Sequence, residues 1–238
     1  MLKIFAYAGS HRENNSISIL FLEALKRNLS KYLNDSFKFT IRTPHNSNIK
    51  ECVGCNLCFE TGKCSIKDDM KDIKEEITDC DLFILVSPVF VHNVPGNMKN
   101  FIDRIGYWTH LFKLSGKSGL CVSISTSNGN EYVNSYLKKI LSCLGVSIID
   151  DISIQTLEMN KPALESYAEI AAKNILKTYK NGLYNTNIEQ ENLFTSLKNI
   201  YVNQKYDSVE SLFWKENGYF KFDSYEQLYR NKLSNSQS

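Results

Sequence analysis

Leu82-Phe83-Ile84-Leu85-Val86 is an unbroken apolar run between Asp81 and Ser87. Strands with one wet face alternate apolar and polar residues, so a run of this kind marks a parallel strand covered on both sides. Helices must then lie above and below a sheet, and the rest of the chain supplies them. Leu2 to Ala8 and Gly119 to Ser125 read as strands of the same kind, Phe37, Thr40 and Ile41 mark a second strand ended by Pro44, and residues 146–154 a fifth. Between them, Ile17, Leu20, Phe21, Ala24, Leu25 and Leu29 recur at helical spacing and leave Glu23, Lys26 and Arg27 to water. Met98, Phe101, Ile102, Ile105 and Trp108 lie on a further helix, and helices are predicted over 70–78, 131–144 and 161–179, the last stopped by Gly182. Strands alternating with helices predict an α/β fold, a doubly wound five-stranded parallel sheet with right-handed crossovers.

Ligands of such sheets sit beyond the carboxyl ends of the strands, where the strand order switches. The loops after strands one, three and four all open at that edge. The first, Gly9-Ser10-His11-Arg12-Glu13-Asn14-Asn15-Ser16, leads from a strand into a helix. Ser10, Asn15 and Ser16 can donate to phosphate oxygens, Arg12 offers charge and a planar donor fork, and the helix dipole favours an anion. An ordinary capped loop would use the same residue types, because Ser and Asn are good N-caps. Neither G-x-G-x-x-G nor a Gly-Lys-Ser/Thr ending is present, so the turn suits a mononucleotide better than a dinucleotide or a nucleoside triphosphate.

With 238 residues, 42% of them hydrophobic, the chain can bury one α/β core and carry an appendage. Its organisation reads as a domain over 1–182 and an extension over 183–238. The extension is polar and aromatic, with Phe194, Tyr201, Trp214, Tyr219 and Tyr225 but few aliphatic residues. Two or three short helices packed on the domain or on a second subunit are expected there. A net charge of +2 with interspersed signs gives no argument for nucleic acid or an anionic membrane. No apolar run long enough to span a bilayer and no signal peptide are recognisable, and the chain reads as cytoplasmic.

Seven cysteines, four of them at Cys52, Cys55, Cys58 and Cys64, suit metal or redox chemistry in a reducing compartment better than a disulfide framework. Their spacing is C-x2-C-x2-C-x5-C. The first three match the ferredoxin pattern for a [4Fe-4S] cluster, while the fourth spacing differs and no Pro follows Cys64. Zinc, or a loop that holds no metal, stays open on spacing alone. Cys80, Cys121 and Cys143 read as small buried hydrophobes.

Gly9-Ser10-His11-Arg12 with Asn15-Ser16, the segment from Cys52 to Asp69, and Ser87-Pro88-Val89-Phe90 leading to Pro95-Gly96-Asn97-Met98 resemble the NAD(P)H-dependent FMN reductase and iron-sulfur flavoprotein branch of the flavodoxin-like superfamily, over about residues 1–180. The resemblance implies a flavodoxin-like strand order of 2-1-3-4-5, bound FMN with NAD(P)H as reductant, and a homodimer or homotetramer with the flavin near a subunit boundary. It places the FMN phosphate at Ser10, Arg12, Asn15 and Ser16. Pro88, Val89, Phe90 and Asn93 would line the isoalloxazine, and Ser125, Thr126, Ser127, Asn128 and Gly129 would approach its other edge. Phe90 stands where the family often has Tyr, and His11 where Pro is common. His92 would lie near the ring as a catalytic donor, or would simply bond to backbone. Asp103 and Arg104 read as an ion pair on the helix surface or at an interface.

The first function these features suggest is an FMN-dependent NAD(P)H oxidoreductase that passes hydride to a small acceptor such as a quinone, nitro or azo compound. The alternative is an iron-sulfur flavoprotein, with Cys52, Cys55, Cys58 and Cys64 on a [4Fe-4S] cluster and ferredoxin as partner. A thiol redox-sensing interaction protein is a weaker third.

Overall fold

A computed structural model describes residues 1–12, 16–34, 36–157, 161–182 and 185–236. The elements run β1 (Leu2–Ala8), α1 (Ile17–Leu33), β2 (Phe37–Arg42), α2 (Leu57–Thr61), α3 (Met70–Asp79), β3 (Leu82–Pro88), α4 (Gly96–Ile105), β4 (Ser118–Ser125), α5 (Asn130–Cys143), β5 (Ser147–Gln155), α6 (Lys161–Asn181), α7 (Ile188–Asn203), α8 (Val209–Glu216) and α9 (Tyr225–Ser236). All strand pairings are parallel and the order is β2-β1-β3-β4-β5. This is the flavodoxin-like order that the resemblance implies, with the switch between β1 and β3.

Both faces of the sheet are covered, as the apolar run of β3 requires. Ile4, Ala6, Ala8, Leu82, Ile84 and Val86 face α1 and α6, whose Ala168, Ala171 and Ala172 allow close approach. Phe5, Tyr7, Phe83 and Leu85 face the other layer, with Ile73 of α3, Met98 and Phe101 of α4 and Leu137 of α5. Alternate residues of one strand thus feed two cores. The α1 face differs by one position from the sequence reading: Leu20 is exposed and Leu22 is buried. That helix packs against α6 as well as the sheet, so its buried arc is wider than a single stripe.

Helices α7 to α9 build a third cluster on the domain, with Phe194, Leu197, Tyr201, Trp214, Tyr219, Tyr225 and Tyr229 closing around Phe112 from the β4 approach. Its polar tips end on domain carbonyls: Trp214 Nε1 donates to His110 at 3.0 Å, Tyr225 OH to Gly145 at 2.5 Å and Tyr229 OH to Lys117 at 3.1 Å. Aromatic rings buried with a satisfied polar handle explain how a segment poor in aliphatic residues is ordered.

Candidate functional site

Gly9 follows β1 with its N–H on the Val86 carbonyl at 2.9 Å, which ties the first turn to the end of β3. A Cβ here would lie 2.7 Å from Met98 Cβ, so only glycine lets α4 start this close to the turn. Ser10 and Ser16 are both buried, and Ser16 Oγ donates to Ser10 Oγ at 2.9 Å. Ser16 occupies the N-cap of α1, yet its side chain makes no capping bond. Among the described residues no side chain caps the first-turn N–H groups beside these two hydroxyls, which favours an anion site over the ordinary capped loop. The exposed Arg12 guanidinium makes no hydrogen bond or ion pair among the described residues, and only the Arg12 backbone N–H is engaged, donating to Ser10 Oγ at 3.2 Å.

A cleft of about 240 Å³ gathers Ser10, His11, Arg12 and Ser16 with Pro88, Val89 and Phe90 of the loop after β3 and Ser125 and Thr126 of the loop after β4. Eight of the thirteen residues expected at a cofactor from the sequence, Phe90 and Thr126 among them, thus share one cleft. Thr156 joins them unforeseen. Its N–H donates to the Ser125 carbonyl at 3.0 Å, so pairing along β4 and β5 carries it to the rim. Ser127 and Asn128 are exposed beyond this cleft, and Asn15 lies outside the described residues. Gly129, at φ +85°, sits where a Cβ would meet Val89 Cγ1 at 2.8 Å, and so brings the loops after β3 and β4 together. A cleft of about 340 Å³ meets the first at His11 and is lined by Tyr7, His45, Asn97 and Asn100. A cavity of about 700 Å³ opens at the opposite edge beside Met1, Asp81 and Lys117. The strand amino ends there lack the convergent loops that make a site in this architecture.

Phe90-Val91-His92-Asn93 is a two-residue hairpin in which the Phe90 and Asn93 N–H groups donate to each other's carbonyls at 2.8 and 2.9 Å. Asn93 Oδ1 accepts from the Val94 N–H at 2.7 Å, so that side chain is used within the loop. Val91 and His92 have φ of +50° and +59°, as in a type I′ turn, which ordinarily takes Asn-Gly. A β-branched residue in this region is strained. Val91→Asn is expected to raise stability by about 1 kcal/mol, read as a later denaturation midpoint with unchanged slope. His92 is exposed and meets the Tyr132 ring edge-on at 5.4 Å.

The cysteine segment meets the second cleft at Asn100, whose Oδ1 accepts from the Cys52 N–H at 3.3 Å. Cys52, Cys55 and Cys64 are exposed, Cys58 is half-buried, and all seven cysteines of the chain are unpaired. Cys80 and Cys121 are buried as expected, whereas Cys143 is only partly so. Arg104 corrects the sequence reading: Asp103 pairs with Lys99 on the surface, while Arg104 turns inward to Asp68, their side chains 1% and 0% exposed. Asp68 also accepts the N–H groups of Lys50 and Met70 at 2.9 and 3.1 Å. Burial pushes the Asp68 carboxyl up, but the Arg104 hydrogen bond, these N–H groups and the Arg104 charge outweigh it and leave its pKa below the usual carboxylate value. Arg104 Nη1 donates to the Lys50 carbonyl at 2.6 Å and Nη2 to Cys64 Sγ at 3.7 Å. Its Nε is buried without a partner among the described residues. Lys74, stacked over Trp108 at 5.7 Å, is half-buried near Cys58 and Cys64; burial lowers its pKa, and the two sulfurs oppose this.

Four free thiols on one short segment, with two cations and an unpartnered buried N–H beside them, fit an anionic iron-sulfur group in donor chemistry. Among the described residues no three His, Cys, Asp or Glu side chains are gathered as a metal shell. The rim cleft fits a phosphorylated cofactor by its uncapped helix end and hydroxyl pair.

Comparison with known proteins follows the same division. An iron-sulfur flavoprotein of Archaeoglobus fulgidus is 28% identical over 226 residues, which cover 92% of this chain and 100% of that protein. One of Methanocaldococcus jannaschii is 30% identical over 131 residues, covering 55% and 66%. An FMN-dependent NADH-azoreductase of Bacillus anthracis, solved in complex with FMN, superposes with a TM-score of 0.56 at 14% identity, over 74% of this chain and 99% of that one, a likeness of fold. Residues 2–156 match the family described as NADPH-dependent FMN reductase, and the chain belongs to that family.

Proposed function

We propose that the protein is an FMN-dependent oxidoreductase that holds the cofactor phosphate at the start of α1 and the ring along Pro88, Val89 and Phe90. One observation carries this reading: a single cleft joins a helix N-terminus and a guanidinium that have no side-chain partner among the described residues, and two buried serines, to the apolar Pro88, Val89 and Phe90. When bound, FMN supplies hydride and single-electron chemistry at its ring. The chain would bind and orient it: Ser10, Ser16, Arg12 and the α1 N–H groups would hold the phosphate, and Val89, Phe90, Ser125, Thr126 and Thr156 would border the ring. Asn93 and residues 127–129 complete the proposed contact set, and His92 stands at the hairpin tip as a proton donor.

NAD(P)H is the proposed reductant, and a small flat quinone, nitro or azo compound the acceptor. Anaerobic NADH or NADPH should bleach the yellow protein, and failure to retain flavin after reconstitution contradicts the proposal. Arg12→Ala is expected to weaken FMN binding about 10- to 100-fold, since a hydrogen bond to a charged group contributes about 1.5–3 kcal/mol. Titration of flavin-free protein by fluorescence checks this.

A second reading routes electrons through a [4Fe-4S] cluster on Cys52, Cys55, Cys58 and Cys64, with ferredoxin as partner. The Arg104 donor on Cys64 favours it, as do the iron-sulfur flavoproteins among the relatives. About four irons per chain after anaerobic preparation support it; an iron-free protein that is fully active contradicts it. We also propose residues 183–238 as an extension distinct from the 1–182 domain, and a cytoplasmic homodimer or homotetramer.

A further inference from the structure

Arg104 is nearly inaccessible to water, and its charge is already matched by Asp68. A pair of this kind needs no third partner for neutrality, yet the guanidinium also reaches Cys64 Sγ and keeps one N–H unmatched. Buried donors are ordinarily satisfied, because an unmade hydrogen bond leaves the desolvation cost of the group uncompensated. Asp68 fixes where the fork points: it receives Nη1 and Nη2 while bonding the backbone at Lys50 and Met70, on either side of the cysteines. The ion pair thereby pins both ends of the segment to α4, with Nη2 on Cys64 and Nε without a partner among the described residues.

We propose that Arg104, oriented by Asp68, is the positioning residue for the sulfur cluster of this segment: it holds Cys64 as a ligand and offers its remaining N–H to a second anionic sulfur. The proposal rests on the iron-sulfur reading and extends it to residues that are not ligands. Hydrogen bonds and positive charge beside the sulfurs stabilise the more negative, reduced state and so raise the reduction potential. Lys74, close to Cys58 and Cys64, adds charge of the same sign.

The test uses the full chain, reconstituted anaerobically with ferrous iron and sulfide. It compares wild type, Arg104→Lys, and the double variant Arg104→Gln with Asp68→Asn, which removes both charges and leaves no lone buried ion. Iron per chain, iron retention against a chelator, cluster midpoint potential and bound FMN are measured together. The double variant should retain iron about 10- to 100-fold less tightly and have a more negative midpoint potential, with FMN content unchanged. Arg104→Lys keeps charge without the fork and should fall between it and wild type. Wild-type retention and potential in the double variant overturn the positioning role alone. A wild-type chain that takes up no iron overturns it together with the iron-sulfur reading, while its FMN content still reports on the flavin site.

Discussion

Trp214→Ala is expected to destabilise the protein by about 3–5 kcal/mol, the range for deleting a fully buried large aromatic side chain. Trp214 is fully buried and stacks on Phe194 with ring centres 5.0 Å apart, while Phe112, Tyr201 and Tyr219 meet it at steeper angles. Each such pair adds to the area term, and the indole N–H also caps the His110 carbonyl. Alanine would remove the shorter of the two side-chain hydrogen bonds to that carbonyl, leaving the Tyr201 hydroxyl at 3.3 Å, and open a void at the centre of the third cluster. The loss should be concentrated in residues 185–236, whose helices meet through this ring. Urea unfolding should show an early transition assigned to the extension, and hydrogen exchange should quicken there first. A change below about 1 kcal/mol contradicts this picture of the cluster.

Asp68→Ala should cost about as much, roughly 3–5 kcal/mol, because it strands the buried Arg104 charge. Asp68→Asn with Arg104→Gln should cost less, since no lone ion remains. The pH dependence has a definite sign. Asp68 has a lowered pKa in the folded protein, so its ionised form contributes stability above the unfolded-state value of about 4. That contribution disappears as pH falls from there through the lower folded value. Wild type should therefore lose denaturant stability on acidification below about pH 4 more steeply than the double variant, from which this carboxylate is absent. Parallel pH profiles contradict the assignment.

The sheet was legible because its signal is local. An apolar run at Leu82 to Val86 admits few alternatives, and once strands and helices alternate, the edge that carries the loops follows from topology. Ser10, Ser16, Val89 and Ser125 come together for that reason, although they are far apart in the sequence. Thr156 gave no such sign: no motif surrounds it, and only pairing of β5 with β4 puts it at the rim. Arg104 misled for a physical reason. Beside Asp103 and four residues beyond Asn100 it resembles a solvated helix charge, and only Asp68, 36 residues away, reveals an inward position. Helix α2, five residues flanked by left-handed Asn56 and Gly62, is too short to impose a periodicity. Leu22 replaced Leu20 in the core because α1 touches two neighbours, which one-face patterning does not describe.

The most direct test of the central claim is a calorimetric comparison of FMN and riboflavin binding to the flavin-free chain. The phosphate end dominates in this account, so FMN should bind saturably and riboflavin at least about 100-fold more weakly, in keeping with several charge-assisted hydrogen bonds at the start of α1. Equal affinity for the two, or no uptake of FMN, contradicts the seating of a phosphorylated flavin at Ser10, Arg12 and Ser16.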